Sequence, residues 1–168
     1  MTKEIFLKNM TEWSSHRLLL WYALRHINGD VIEFGSGEGS TPFLYDYCVS
    51  TQRNFYSYEN NKAWWSDKMG SYYVEDWNAA DIYKKCAVIL IDHAPGEHRH
   101  EAIAIMAQKA EIIVVHDSEE PGYMLDKVTP MFKYIVKSIG TKIETVALSN
   151  SIDVTKWSGK EYNEFKIL

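Results

Sequence analysis

Two short stretches decide what this chain can fold into. Ala87-Val88-Ile89-Leu90-Ile91 and Ile112-Ile113-Val114-Val115 carry no polar side chain, and each runs straight into a polar loop, at Asp92 and at His116-Asp117. A strand with one wet face alternates polar and apolar residues. An unbroken apolar run of strand length is covered on both faces. Such strands belong to parallel sheets, whose crossover helices supply both covers.

The rest of the chain alternates accordingly. Thr11–Ile27 has helical spacing, with Trp13, Leu20, Leu24 and Ile27 on one stripe and Gly29 as its stop. Val31–Phe34 is an expected strand. Thr41 is placed as the N-cap of a second helix reaching about Ser50, with Pro42 at its first position. Strands are expected at Asn54–Tyr58, Tyr72–Glu75, Ala87–Ile91, Glu111–Val115, Ile143–Leu148 and Glu161–Ile167. Helices are expected at Asn61–Met69, Glu101–Lys109 and Leu125–Ile139, the last kinked at Pro130, with a short amphipathic element at Ala79–Lys85. No linker or repeat divides the sequence. The expectation is one α/β domain over residues 1–168, a doubly wound, mostly parallel seven-stranded sheet with helices on both faces.

Composition narrows the function. With 46% hydrophobic and 24% charged residues the chain is globular, not disordered or collagen-like. Its 18 basic against 23 acidic residues give a net charge of −5, which steers it away from nucleic-acid phosphates. Cys48 and Cys86 lack metal-ligand spacing and read as reduced, buried thiols. Met1–Met10 lacks the apolar core of a signal peptide, and the longest apolar runs are far short of the roughly 20 residues of a membrane span. A soluble, cytoplasmic protein without a membrane partner is expected.

In doubly wound sheets, ligands bind beyond the carboxyl ends of the strands. The first such end is Glu33-Phe34-Gly35-Ser36-Gly37-Glu38-Gly39-Ser40-Thr41. Its spacing is GxGxG. Ser40 stands where the third glycine of a dinucleotide fingerprint would be, and the GKS/T of a phosphate loop is absent. Glu33, just before the first glycine, opposes a pyrophosphate and suits a cationic ligand.

An acidic residue, any residue, then GxGxG resembles the first motif of the class I S-adenosylmethionine-dependent methyltransferases. The likeness runs from Val31 to Leu168, and the late strands resemble that fold's reversed final hairpin. It implies that Gly35, Ser36, Gly37, Gly39, Ser40 and Thr41 line the methionine part of the cofactor, with Glu33 near its ammonium. It implies that Glu59, with Asn60 beside it, takes the ribose hydroxyls. A carboxylate has two acceptor oxygens for a vicinal diol. Asp76 would accept from the adenine amino group, Trp77 would stack on the ring, and Asp92 would lie near the reactive methyl.

Four of the six histidines, His93, His98, His100 and His116, fall around the ends of the two apolar strands. Two chemistries fit. In one, His98 or His116, with Asp92, is the catalytic base for a hydroxyl or amine nucleophile. In the other, Asp92 and Asp117 bind Mg²⁺, as in the sugar and catechol O-methyltransferases that this stretch resembles. The usual short Asp-Gly-Ser/Asp-His run is here replaced by Asp92 to His98. His16 and Arg17, at the start of the first helix, are candidate substrate contacts.

The expected activity is methyl transfer from S-adenosylmethionine to an oxygen or nitrogen of an unidentified acceptor. Few substrate-recognition insertions are evident, which suggests a large substrate that brings its own surface or a pocket completed by a second subunit, as in a homo-oligomer. The alternative is a non-catalytic binding module of the same fold. A nicotinamide-dependent reductase is disfavoured by Ser40 and Glu33.

Overall fold

The computed structural model describes residues 1–138, 142–158 and 165–167. Its strands are β1 (Val31–Phe34), β2 (Phe55–Glu59), β3 (Ser71–Tyr73), β4 (Cys86–Ile91), β5 (Ala110–His116), β6 (Tyr134–Ser138), β7 (Thr145–Ser149) and β8 (Phe165–Ile167). They form one sheet in the order β3-β2-β1-β4-β5-β7-β6-β8. β1 to β5 pair in parallel, and β7 runs antiparallel to both β5 and β6. The mostly parallel seven-stranded sheet with a reversed last strand is therefore β1–β7. β8 adds an antiparallel edge on β6.

β4 is buried in all six residues, and β5 is buried from Ile112 to His116. Their side chains alternate between two cores, as the period of two requires. Val88, Leu90, Ile112 and Val114 face one layer with Val31 and Leu44. Ile89, Ile91, Ile113 and Val115 face the other with Ile32 and Phe34. The first layer is covered by α1 (Lys3–Phe6), α2 (His16–His26) and α3 (Thr41–Thr51). α2 is buried nearly all round, so its sequence from Leu18 to Leu24 is apolar throughout. Trp157, from the segment after β7, stacks against its Tyr22 and His26. The second layer is covered by α4 (Arg99–Met106) and by single 3-10 turns.

Two expected helices are absent. Leu125–Ile139 is not a helix. It comprises 3-10 turns at Leu125–Lys127 and Thr129–Met131, followed by β6, with Ile139 itself outside the described residues. Met124, just before this segment, sits in the left-handed region at φ 53°, and Pro130 removes one N–H from any α-helical ladder, both of which oppose a continuous helix here. The free edge of β7 then takes the β-branched pair Ile135 and Val136 into a strand. Asn61–Met69 is a loop, in which Asn61 O accepts from the N–H groups of Trp64 and Trp65 at 3.0 and 2.9 Å. Of the late strand expected at Glu161–Ile167, residues 161–164 lie outside the described residues and Phe165–Ile167 is β8.

Cys48 and Cys86 are free and buried, and burial pushes both thiols up to about 12. Among the described residues no helix is long and apolar enough to cross a membrane.

Candidate functional site

The chain runs outward from β1 through β2 to β3 and then crosses back to place β4 on the other side of β1, so a crevice opens where the carboxyl ends of β1 and β4 part. It holds a cleft of about 730 Å³, walled by the glycine loop, Glu59, Asn61 and Trp64 on one side and by Asp92, Ala94, Arg99, His116 and Asp117 on the other. Trp13 and His16 close it from the α2 side. A second cavity, of about 580 Å³, shares Ser36, Gly37 and Trp64 with it and extends to Thr41 and Trp65.

The glycines are not equivalent. Gly35 has φ +93°, and a Cβ there would lie 2.6 Å from the backbone of Asp92. It is required by the close approach of β1 to β4. A Cβ on Gly37 meets nothing within 4 Å, so its open face looks into the cleft. Ser36 donates its backbone N–H to Glu59 Oε2 at 2.9 Å, and its own hydroxyl is buried without a partner. Glu59 Oε1 accepts from the N–H of Asn61 at 2.7 Å. Each Glu59 oxygen is thus held by a fixed backbone donor. Burial raises the Glu59 pKa, against the pull of those backbone donors.

Glu33 is fully buried and lies under the loop rather than in the cleft. Its oxygens accept from Thr41 Oγ1 at 2.8 Å, from Ser57 Oγ at 2.6 Å and from Ser40 Oγ. Ser40 and Thr41 therefore spend their hydroxyls on Glu33, and neither caps α3 with its side chain, contrary to the expected Thr41 cap. Thr41 Oγ1 also accepts from Gly37 N at 2.9 Å. Burial lifts the Glu33 carboxyl to about 7 in spite of these three donors.

At the other wall, His116 Nδ1 lies 3.3 Å from Asp92 Oδ2 and 3.4 Å from Asp117 Oδ1. Its Nε2 lies 3.2 Å from Ser15 Oγ, which is 3.3 Å from Thr145 Oγ1. Burial disfavours the imidazolium, but the hydrogen bond and charge of Asp92, helped by Asp117, outweigh it and raise the His116 pKa. Burial likewise works against the Asp92 carboxylate, yet His116 and Arg99 hold its pKa below the ordinary value. His16 packs edge-on to His116 with ring centroids 4.6 Å apart, and neither of its nitrogens makes a well-formed hydrogen bond. Burial, then the charge of His116, drive its pKa down to about 3.

The carboxylates expected to hold Mg²⁺ are bridged by a guanidinium. Arg99 Nη2 lies 3.1 Å from Asp92 Oδ1 and Nη1 lies 3.2 Å from Asp117 Oδ2. A fixed cation occupies the ground between them, so this pair does not fit Mg²⁺. His98 does not join the cluster. It is half exposed and pairs with Glu101 at 3.2 Å on the first turn of α4. Asp76 is exposed and holds the N–H and side chain of Asn78 at 2.9 Å. Trp77 is core, stacked on His93 at 4.4 Å, with its Nε1 donating to Ala94 O. Asn60 does not line the cleft.

Sequence reasoning passes over Arg99 and Ser15. Nothing local marks Arg99: its guanidinium is buried only because β4 and β5 bring the His93 and His116 carbonyls within 2.9 Å of it.

No family model matches the chain, and no curated protein matches it. Solved structures do. The fold is similar to that of cofactor-bound Rv0187 from MTB, at TM-score 0.60 and 15% identity over 86% of this chain and 84% of that one. It is similar to a precorrin-6y C5,15-methyltransferase from Geobacter metallireducens, at TM-score 0.52 and 14% identity over 79% and 86%. The plantazolicin methyltransferase BpumL, solved in complex with SAH, gives 0.51 and 11% over 88% of each chain. The chain has the Rossmann-like fold of class I methyltransferases.

Proposed function

We propose that this protein transfers a methyl group from S-adenosylmethionine to an oxygen or nitrogen of an acceptor held beside Asp92. One observation carries the reading. The open face of the glycine loop, the Glu59 carboxylate and the Asp92–His116 pair converge on a single cleft.

The residues present fit the cofactor. Gly37 offers backbone approach without a side chain, and the Ser36 hydroxyl lies buried beside Glu59 at the edge of the cleft. Glu59 has two acceptor oxygens for a diol. When bound, the sulfonium supplies an activated methyl group. The chain's own task is to place the acceptor and take its proton. Asp92, with its side chain 22% exposed, is the accessible member of the pair. In the tautomer that donates Nε2–H to Ser15, His116 keeps its Nδ1 lone pair toward Asp92 and can share a proton the carboxylate takes up. Arg99 fixes the carboxylate's orientation through Oδ1.

The test is calorimetric titration with S-adenosylhomocysteine, followed by turnover assays with oxygen and nitrogen acceptors. Micromolar binding with turnover supports the reading. No binding removes it, and binding without turnover on any acceptor leaves the binding module.

A further inference from the structure

One group in the cleft has no partner in the reading above. His16 is 1% exposed and lines the cleft, and neither ring nitrogen makes a well-formed hydrogen bond, the Gly39 backbone being the polar main-chain group that acts on it. A buried imidazole with poorly met polar atoms carries a largely uncompensated desolvation cost. It sits beside two other ligating groups. One ligand atom from each of His16, Asp92 and His116 lies within 4.8 Å of the others.

We propose that His16, Asp92 and His116 bind a divalent transition metal, with Zn²⁺ as the reference ion. The inference rests on the cleft's geometry and goes beyond the methyl-transfer reading. It shares Asp92 with the Mg²⁺ expectation but replaces Asp117 by two imidazoles and the ion by a transition metal. Two imidazoles and one carboxylate select zinc, iron, cobalt or nickel, whereas magnesium takes oxygen ligands. Three protein ligands leave a fourth position facing the cleft.

The supporting contacts of His116 and Asp92 are already built. Ligating histidines donate their other N–H, and ligating carboxylates are themselves held by hydrogen bonds. His116 has Ser15 Oγ at 3.2 Å from Nε2, which leaves Nδ1 for the ion. Asp92 has Arg99 Nη2 at 3.1 Å from Oδ1, which leaves Oδ2. Metal–ligand bonds of about 2.0–2.2 Å place donor atoms roughly 3.3 Å apart, so the three side chains would close inward around the ion. The element supplying His16 is the start of α2, whereas Asp92 and His116 end β4 and β5. The site thus ties the helix to the sheet across the cleft. A cation and a shared proton compete for the same Nδ1 lone pair, so the metal-loaded and proton-accepting forms exclude one another.

Chelator-treated full-length protein titrated with Co²⁺ and Zn²⁺ tests this. One Co²⁺ per chain should bind with visible absorption of a four- or five-coordinate site, and Zn²⁺ should displace it. His16→Gln should weaken binding at least tenfold. His98→Ala, whose imidazole points away from the cleft, should not change it. His16→Cys should retain Co²⁺ and add a thiolate-to-cobalt charge-transfer band, and it carries the test alone if His16→Gln fails to fold. Wild-type protein that binds no Co²⁺, equal affinity in His16→Gln, or a His16→Cys complex without that band would overturn the proposal. A parallel titration with S-adenosylhomocysteine on the metal-free protein separates the two readings: nucleoside binding without metal binding sinks only the metal site, and the reverse sinks only the cofactor assignment.

Discussion

Arg99 Nη2 lies 3.1 Å from Asp92 Oδ1, and the arginine doing this is only 5% exposed in its side chain. The guanidinium also donates to the carbonyls of His93 and His116, each at 2.9 Å, so its charge and its hydrogen bonds are both satisfied by the strand ends it joins. Removing one partner of such a buried pair leaves the other desolvated and unpaired.

Arg99→Met should therefore lower stability by about 3–5 kcal/mol. Urea denaturation with matched slopes measures it. A change below about 1 kcal/mol would show that Asp92 finds other partners at little cost.

Glu33 predicts a pH dependence of the opposite sense to an ordinary surface carboxylate. Its folded pKa, about 7, lies above the unfolded 4.5, so the folded state holds the proton more tightly. Stability then falls as pH rises from about 4.5 through 7, by roughly 3 kcal/mol in total. The groups facing it are the hydroxyls of Ser40, Thr41 and Ser57, with the negative charge of Asp92 adding to the rise. Glu33→Gln has no such proton to lose. The stability of wild type relative to Glu33→Gln should decline across that window, and a difference independent of pH would disprove the assignment.

Gly35 and Gly37 should separate folding from binding. Gly35→Ala forces a Cβ to 2.6 Å from the Asp92 backbone at a left-handed φ and should destabilise by several kcal/mol. Gly37→Val places its methyls in open space. It should leave circular dichroism and melting near wild type while abolishing measurable S-adenosylhomocysteine binding. Unchanged affinity would remove the loop from the cofactor site.

Glu59→Gln should weaken S-adenosylhomocysteine about 10–100-fold, the worth of hydrogen bonds to a charged acceptor. Calorimetry reads it directly. An affinity within twofold of wild type would take the ribose away from Glu59.

What the sequence discloses follows from how local each signal is. β4 and β5 are legible because burial on both faces leaves runs of apolar residues, Ala87–Ile91 and Ile112–Val115, without a polar side chain. The glycine loop is legible because close backbone approach permits only glycine at Gly35. β6 is not, since Leu125, Val128, Phe132 and Ile135 keep helical spacing while the decisive partner, the edge of β7, lies further along the chain. At the site, Asp92 and His116 stand out as the first polar residues after greasy runs. Trp77 misleads, because an aromatic after a short strand serves core and ligand equally well, and here it stacks on His93 in the core. His16 and Arg99 acquire their meaning only when two crossovers bring α2 and α4 to the same crevice.

The stretch from Pro121 to Met131 is divided into three single turns, and Tyr123 at its head lies over the Arg99 guanidinium at 4.4 Å. Turns that share no continuous ladder do not cooperate, so each opens without waiting for the next. Amide deuteration along this strap should outrun that of β5 by orders of magnitude. The ring over Arg99 would then open independently of the sheet beneath it, so the Arg99 wall of the cleft should change shape while the glycine-loop wall holds.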